Sequence, residues 1–254
     1  MPDLTVATLN LFNNEHGRWA DREPLVAGQA LALDADVLTF QEVDAGSDQI
    51  DRLVAALGGG YRPAVLASPV PGSIKALAIL TRLPVVERDD CTGLGRGDVA
   101  LAVRLDAAGQ PVWVATTHLL FAPTRAGSEI RRGQAARLLE WLGDRHPVVL
   151  TGDFNATDGG ATVRLVKARL RSAHEAVHGH EPERTHPTPL VHAVDTEAAF
   201  GVPELPAGGV GIDYVFVSDD VEVADCRLTF TRPSPEEPAL YPSDHFGLVA
   251  RLRV

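Results

Sequence analysis

The chain is short of several things, and each shortage closes off a class of protein. Two cysteines, Cys91 and Cys226, among 254 residues are too few for a disulfide framework; two buried thiols are expected in place of a bridge. Only Lys75 and Lys167 are lysines, so arginine carries nearly all the positive charge. With 23 Lys plus Arg against 34 Asp plus Glu, the formal net charge is −11. That balance argues against coating duplex nucleic acid, where clustered cations on phosphates supply the affinity. A small anionic substrate, or one short strand, held by a few arginines and a metal stays open. Apolar runs such as Ala76 to Leu80 and Val112 to Ala115 fall far short of the roughly 20 residues a bilayer requires, so no membrane span is expected. The opening MPDLTVATLN lacks the basic and apolar regions of a signal peptide. It reads as a mature start, and a cytoplasmic location is expected.

What is present describes a folded domain. A hydrophobic fraction of 45% is too high for disorder, and a chain this long buries about 75% of its unfolded surface in one core. No repeat, low-complexity tract or separating linker is visible, so one domain over 1–254 is expected, as a monomer. Short apolar strands dominate: Leu4–Leu9, Val37–Phe40, Tyr61–Leu66, Ala76–Leu80, Val85–Arg88, Val99–Leu105, Val112–Thr117, Val148–Leu150, Ile212–Val217, Val221–Phe230 and Gly247–Leu252. Helical spacing marks Glu23–Leu33, Asp48–Leu57, Ser128–Leu142 and Thr162–Leu170. Strands come in consecutive groups with helices between some of them. This is not strict β-α-β alternation, and it predicts an α+β protein in which two sheets pack together with helices outside.

The informative residues stand at strand ends, where active sites are usually assembled. Asn10 ends the first strand, Gln41-Glu42 the second and His118 a later one. Gly152-Asp153-Phe154-Asn155 follows Val148–Leu150, Asp213 opens Ile212–Val217, and Ser243-Asp244-His245 precedes the last strand. Singly, each has a bland reading: an Asn or Asp after a strand is ordinarily a turn former. Six such positions in this order are harder to explain as independent turns.

The set resembles the endonuclease/exonuclease/phosphatase superfamily, with its DNase I-like fold. The matching segments are ATLNLF, LTFQEVD, ILTRLPV, ATTHL, VLTGDFN, GIDYVFVS and YPSDHFGLV, from the first strand to the last. The resemblance implies a four-layer α/β/β/α sandwich of two mixed sheets. It also implies a metal-dependent phosphoesterase in which Glu42 is the main metal ligand, with Asn10 and Asp244 lining the metal site. In that pattern Asp153 and Asn155 position and activate a water, Asp213 and His245 pair at the scissile phosphate, and His118 stabilises phosphoryl oxygens. Either Asp153 or His245 takes the proton of the water. The residue chemistry agrees. Convergent carboxylates would repel one another without a cation, and oxygen donors without thiolate select a hard ion, Mg²⁺ or Mn²⁺. Asp213 is the natural partner to fix the tautomer of His245.

The fold alone does not choose a substrate. Ala156-Thr157 after GDFN departs from the inositol 5-phosphatases, His118 from the abasic-site endonucleases, and the lack of disulfides and signal peptide from secreted DNases. HLLFAPTRAGSEIRRGQAARLLEWL looks like the matching stretch of the deadenylase and nocturnin branch. Arg125, Arg131 and Arg132 then become candidate substrate contacts, or else solvated positions around a surface helix. His186, in Thr185-His186-Pro187, becomes a candidate for the substrate rim. Five histidines between His174 and His192 fit no tight ligand set, and a polar loop is expected there. The expected activity is Mg²⁺-dependent hydrolysis of a phosphodiester of nucleotide or single-stranded nucleic-acid type. The alternatives are a phosphomonoesterase, or a diesterase acting on a small metabolite or lipid headgroup. A degenerate, non-catalytic binding module would have lost Glu42, Asp153 or His245, and all three are present.

Overall fold

The computed structural model describes residues 1–12, 17–193 and 208–254. In chain order the elements are β1 (Asp3–Asn10), α1 (Trp19–Leu33), β2 (Val37–Asp44), α2 (Gln49–Ala56), β3 (Arg62–Ala67), β4 (Lys75–Thr81), β5 (Val85–Gly95) and β6 (Asp98–Ala107). They continue with β7 (Gln110–His118), α3 (Arg125–Leu142), β8 (Val148–Asp153), α4 (Ala161–Lys167), β9 (Arg171–Ser172), α5 (Ala173–His178), β10 (Asp213–Val217), β11 (Glu222–Thr229) and β12 (Gly247–Arg253). A 3₁₀ turn lies at Pro189–Ala193. The strands form two six-stranded sheets, in the orders β11-β12-β1-β2-β4-β3 and β5-β6-β7-β8-β10-β9. Each sheet is mixed: β1 and β2 are parallel, as are β7 and β8.

Strand alternation builds the layers, because successive side chains point to opposite faces. Leu4, Val6, Val37, Ile79, Val103, Val114, Val149, Val215 and Leu248 fill the space between the sheets. The opposite face of the first sheet, Ala7, Leu9, Leu38 and Phe40, takes Val26 and Ala30 of α1 and Leu53 of α2. Ala115, Leu150 and Phe216 of the second sheet take Leu138 and Leu142 of α3 and Val163 and Val166 of α4. The result is a four-layer α/β/β/α sandwich.

The inner faces change character along the strands. Val6, Thr8 and Asn10 follow one another on β1; Val37, Thr39 and Gln41 on β2; Val114, Thr116 and His118 on β7; Val149, Thr151 and Asp153 on β8. The middle rung is a buried polar layer that ties the sheets together. Thr39 and Thr151 share a hydroxyl hydrogen bond of 2.8 Å. Gln41 Nε2 donates to Thr8 Oγ1 at 3.1 Å and to Thr116 Oγ1 at 2.8 Å. Buried polar groups are tolerable only when paired in this way.

Several elements differ from expectation for identifiable reasons. α1 begins at Trp19, not Glu23, and carries Pro24 inside it. β5 runs to Gly95 and not to Arg88, as an exposed edge strand whose Glu87, Arg88, Asp89 and Asp90 carry no apolar alternation. Part of the expected polar loop is helix α5, whose N-terminus Ser172 caps by accepting from Glu175 N. There His174, His178 and His180 each bond a backbone carbonyl, and the side chain of His192 lies outside the described residues. Cys91 and Cys226 are buried free thiols, and burial pushes the Cys226 thiol up to about 12. No helix among the described residues is long and apolar enough to cross a membrane.

Candidate active site

Strand register assembles the site at the polar end of the sandwich. In the second sheet His118 of β7 lies opposite Asp153 of β8, and Asp153 opposite Asp213 of β10. In the first sheet Asn10 lies opposite Gln41. Gly152 makes the β7–β8 approach possible: at φ +138°, a Cβ there would sit 2.0 Å from the Thr117 carbonyl oxygen.

Side-chain distances then connect the two sheets. Asn10 Nδ2 donates to Asp153 Oδ2 at 3.1 Å, and the backbone N–H of Asn155 to Asp153 Oδ1 at 2.8 Å. His118 Nε2 lies 3.4 Å from Asp153 Oδ2 and 3.8 Å from Glu42 Oε1. Asn155 Nδ2 donates to the Leu119 carbonyl at 2.9 Å and stands 3.1 Å from His118 Nε2. His245 Nδ1 bonds Asp213 Oδ2 at 2.8 Å, while its Nε2 faces Asp153 Oδ2 at 3.8 Å. Asp244 Oδ2 lies 3.5 Å from His186 Nε2, and the His186 ring sits 4.5 Å from that of His245. Asn10, Glu42, His118, Asp153, Asn155, Asp213, Asp244, His245 and His186 are thus brought to one place.

Glu42 and Asn155 reach the site by unusual backbone. Both are left-handed, at φ 53° and 48°. For Glu42 that conformation costs roughly 1–2 kcal/mol, whereas asparagine visits it more readily, and strain of the Glu42 kind gathers at functional sites. Simple alternation would turn Glu42 to the helix side with Leu38 and Phe40. A register shift between Phe40 and Val43 re-aims it towards His118.

The electrostatics separate the charged groups. Burial, then the charge of Asp213, raises the Asp153 carboxyl above its ordinary value, although His118 and His245 pull the other way. For His245 burial opposes the charge, but Asp213 and Asp244 overcome it and hold the imidazolium well above 6.5. Burial would raise Asp244 too, yet His245, His186 and Arg22 hold it below the usual carboxylate range. Two groups present three ligating atoms within 4.8 Å of one another among the described residues: Asp153-Asp213-His245 and His186-Asp244-His245. Glu42 stands outside both.

The three candidate arginines are placed differently. Arg131 is buried and donates to the carbonyls of Leu120 at 3.1 Å and Ala122 at 2.8 Å, so it braces the loop after β7 and its guanidinium is not offered to solvent. Arg132 is exposed and pairs with Glu129 at 3.3 Å, and Arg125 is exposed at the start of α3.

Sequence reasoning missed Arg22. Its side chain is fully buried and donates to the carbonyls of Gly17, Leu11, Phe12 and Pro242, tying the end of β1 to the loop that carries Asp244. Burial lowers its pKa to about 10, while Asp244 and Glu42 support the charge. The available signal was a charge at core spacing, between Trp19 and Val26 on α1. Thr188 was missed as well, and Thr185, read only as part of the rim segment Thr185-His186-Pro187, braces the site. Thr185 Oγ1 accepts from Asp213 N at 3.2 Å, and Thr188 N donates to the Asp244 carbonyl at 2.7 Å.

The sequence profile described as the Endonuclease/Exonuclease/phosphatase family matches residues 7–245. The chain is similar in structure to the human Nocturnin catalytic domain with bound sulfate, at 23% identity and TM-score 0.76 over 99% of this chain and 94% of that one. It is similar to an endonuclease/exonuclease/phosphatase from Bacteroides vulgatus, at 21% identity and TM-score 0.76 over 100% of both chains. It is also similar to D. rerio TDP2 complexed with single strand DNA product, at 17% identity and TM-score 0.76 over 99% of both. At such identities the likeness establishes the fold. A comparison with curated protein sequences finds no match.

Proposed function

The chain belongs to the endonuclease/exonuclease/phosphatase family, whose members are metal-dependent hydrolases of phosphoesters, and on that premise we propose that it is a Mg²⁺- or Mn²⁺-dependent phosphodiesterase. Its proposed substrates are nucleotide-type or single-stranded nucleic-acid phosphodiesters. The observation that carries the reading is the His245–Asp213 pair at 2.8 Å beside the buried Asp153.

Glu42, Asp244 and the amide of Asn10 would hold the metal. Their oxygens are hard donors, which suit an ion that keeps several waters and takes one or two carboxylates. Such an ion, when bound, polarises a phosphoryl oxygen and offsets developing charge. The remaining steps belong to side chains. Asp213 accepts a hydrogen bond from the Nδ1–H of His245, fixing the ring so that Nε2 is turned into the site. The imidazolium then neutralises charge on a phosphoryl oxygen. Asp153, held on both oxygens by Asn10 Nδ2 and Asn155 N, orients the attacking water and accepts its hydrogen bond. His118, against Asp153 and Glu42, covers the other side of the phosphate.

A second reading, a phosphoesterase for a small metabolite or lipid headgroup, is favoured by the net charge of −11, which suits a compact substrate better than a long polyanion. A panel of phosphodiesters and phosphomonoesters assayed with each metal separates the two. EDTA is expected to abolish turnover, with recovery on adding Mg²⁺ or Mn²⁺; full activity after thorough chelation rejects the proposal. Glu42→Gln is expected to raise the metal concentration needed for half-maximal rate while leaving the melting temperature of metal-free protein nearly unchanged.

A further inference from the structure

A groove of about 250 Å³ opens beside His118, between the β3–β4 loop of one sheet and the β5–β6 turn of the other. Ser68, Lys75, Arg96, Asp98, His118 and Leu120 line it. A pocket for a whole small ligand is usually about 300–1,000 Å³, so this volume suits one part of a ligand whose remainder lies elsewhere. Its wall is built in advance. Ser68 Oγ donates to the Gly97 carbonyl at 2.7 Å across the two sheets. At Gly97, φ 80°, a Cβ would stand 2.3 Å from Val70 Cγ2 and 3.0 Å from Ser68 Oγ, so glycine suits the close approach of the two loops.

The cations of this groove are lightly engaged within the protein: Lys75 acts on Asp98 by charge at a distance. Of the two lysines, Lys167 meets Asp158, Glu175 and Glu181, all within 2.9 Å. Lys75 and Arg96, both exposed, make no ion pair among the described residues. Arg96 and Gly97, at φ 62° and 80°, are the two central residues of the hairpin turn between Gly95 and Asp98, a turn of the primed kind that needs positive φ at both, and this turn sets Arg96 at the groove. Asp98 is the one carboxylate of the lining, and Gln134 Nε2 donates to it at 2.7 Å. Lys75 and Arg96 against Asp98 leave a positive surplus in a protein whose net charge is −11.

We infer that this groove is a second anion subsite, in which Lys75 and Arg96 receive a phosphate that the substrate carries in addition to the one cleaved beside His245. Asp98 would accept from a neighbouring hydroxyl of the same substrate. The inference rests on the phosphoesterase reading for its position in the reaction, and it narrows the substrate class to molecules with two phosphoryl groups, such as a nucleoside bisphosphate ester or a short strand. Charge-assisted hydrogen bonds are the strong ones, and they distinguish such a substrate from a monophosphorylated one.

The test uses two pairs of probes. Thymidine 3′,5′-bisphosphate and thymidine 5′-phosphate are compared by calorimetry with Mg²⁺ present. Thymidine 5′-(p-nitrophenyl phosphate), with and without a 3′-phosphate, is compared for turnover. The bisphosphate is expected to bind roughly 10-fold or more tighter than the monophosphate, with a KM advantage of similar size for the 3′-phosphorylated ester. Combining Lys75→Gln with Arg96→Gly should bring both ratios to about one, and Lys75→Arg should retain most of the advantage. Arg96→Gly suits the left-handed turn, so a folding defect is not expected to obscure the result. Equal binding of the two nucleotides by the wild-type protein, or an advantage that survives the double substitution, overturns the subsite. A binding advantage with no turnover of either ester supports the subsite and rejects the phosphoesterase reading. Turnover of both esters without any advantage does the reverse.

Discussion

At the scale of single residues, the pair His245 and Asp213 makes the sharpest claim. A positioned histidine contributes about 10²–10⁴-fold in rate, so Asp213→Asn and His245→Ala should each lower turnover by roughly that factor. Their effects should not multiply in the double variant, because residues acting as a unit are non-additive. Turnover per folded molecule, read beside the melting temperature, separates this from a packing role, which would lower stability and leave turnover near normal. The same residue sets a pH dependence. The folded protein holds the His245 proton more tightly than an unfolded chain, whose value is near 6.5. In metal-free protein the stability this supplies is complete below 6.5 and is lost as pH rises through the raised folded value. Asp153, also raised when folded, acts with the same sign. Thermal midpoints measured in EDTA should therefore fall as pH rises above about 6.5, and His245→Gln should flatten that fall.

At the scale of elements, the site depends on strand register more than on any one contact. β7, β8 and β10 place His118, Asp153 and Asp213 in one row, and that row requires the close approach at Gly152. Gly152→Ala drives a Cβ to 2.0 Å from the Thr117 carbonyl. Overpacking of this kind costs about 1–3 kcal/mol, sometimes more, and backbone atoms cannot yield as a side-chain tip can. Urea denaturation should show a loss of at least that size, and the folded fraction should also lose activity, because β8 must shift relative to β7. An unchanged unfolding midpoint would contradict the tight approach. α1 acts on the site through Arg22, which holds the segments carrying Asn10 and Asp244 by their carbonyl groups.

For the whole molecule, charge governs the partners. A net charge of −11 leaves cations in small groups, such as Lys75 with Arg96, and many arginines are matched by carboxylates, among them Arg18 with Glu237, Arg52 with Glu23 and Arg82 with Asp34. Duplex binding depends on many simultaneous phosphate contacts and falls steeply with salt. A gel-shift assay at physiological salt should accordingly show no duplex DNA complex tighter than about the micromolar range of non-specific binding. A tight, salt-sensitive duplex complex would count against both readings of the substrate.

The amino-acid sequence by itself determined the layers and the cast of the site. Alternation along the strands and helical spacing in α3 dictate which faces are apolar, and so dictate two sheets with helices outside. The polar residues at strand ends are legible because an apolar strand that stops at Asn10, His118 or Asp153 announces the edge of the core. Tertiary structure decided what no local pattern encodes. The bulge at Glu42 reverses the face that alternation assigns to it. Asp213 and His245 meet only because β10 and the loop before β12 are brought together by long-range pairing. Arg131 lies buried against its own loop although its helix reads as a surface helix. Arg22 became a clamp because the carbonyls it serves come from segments far apart in the chain. Local preference acts over a few residues, whereas register, bulges and buried polar networks are settled by partners that only the folded chain brings together.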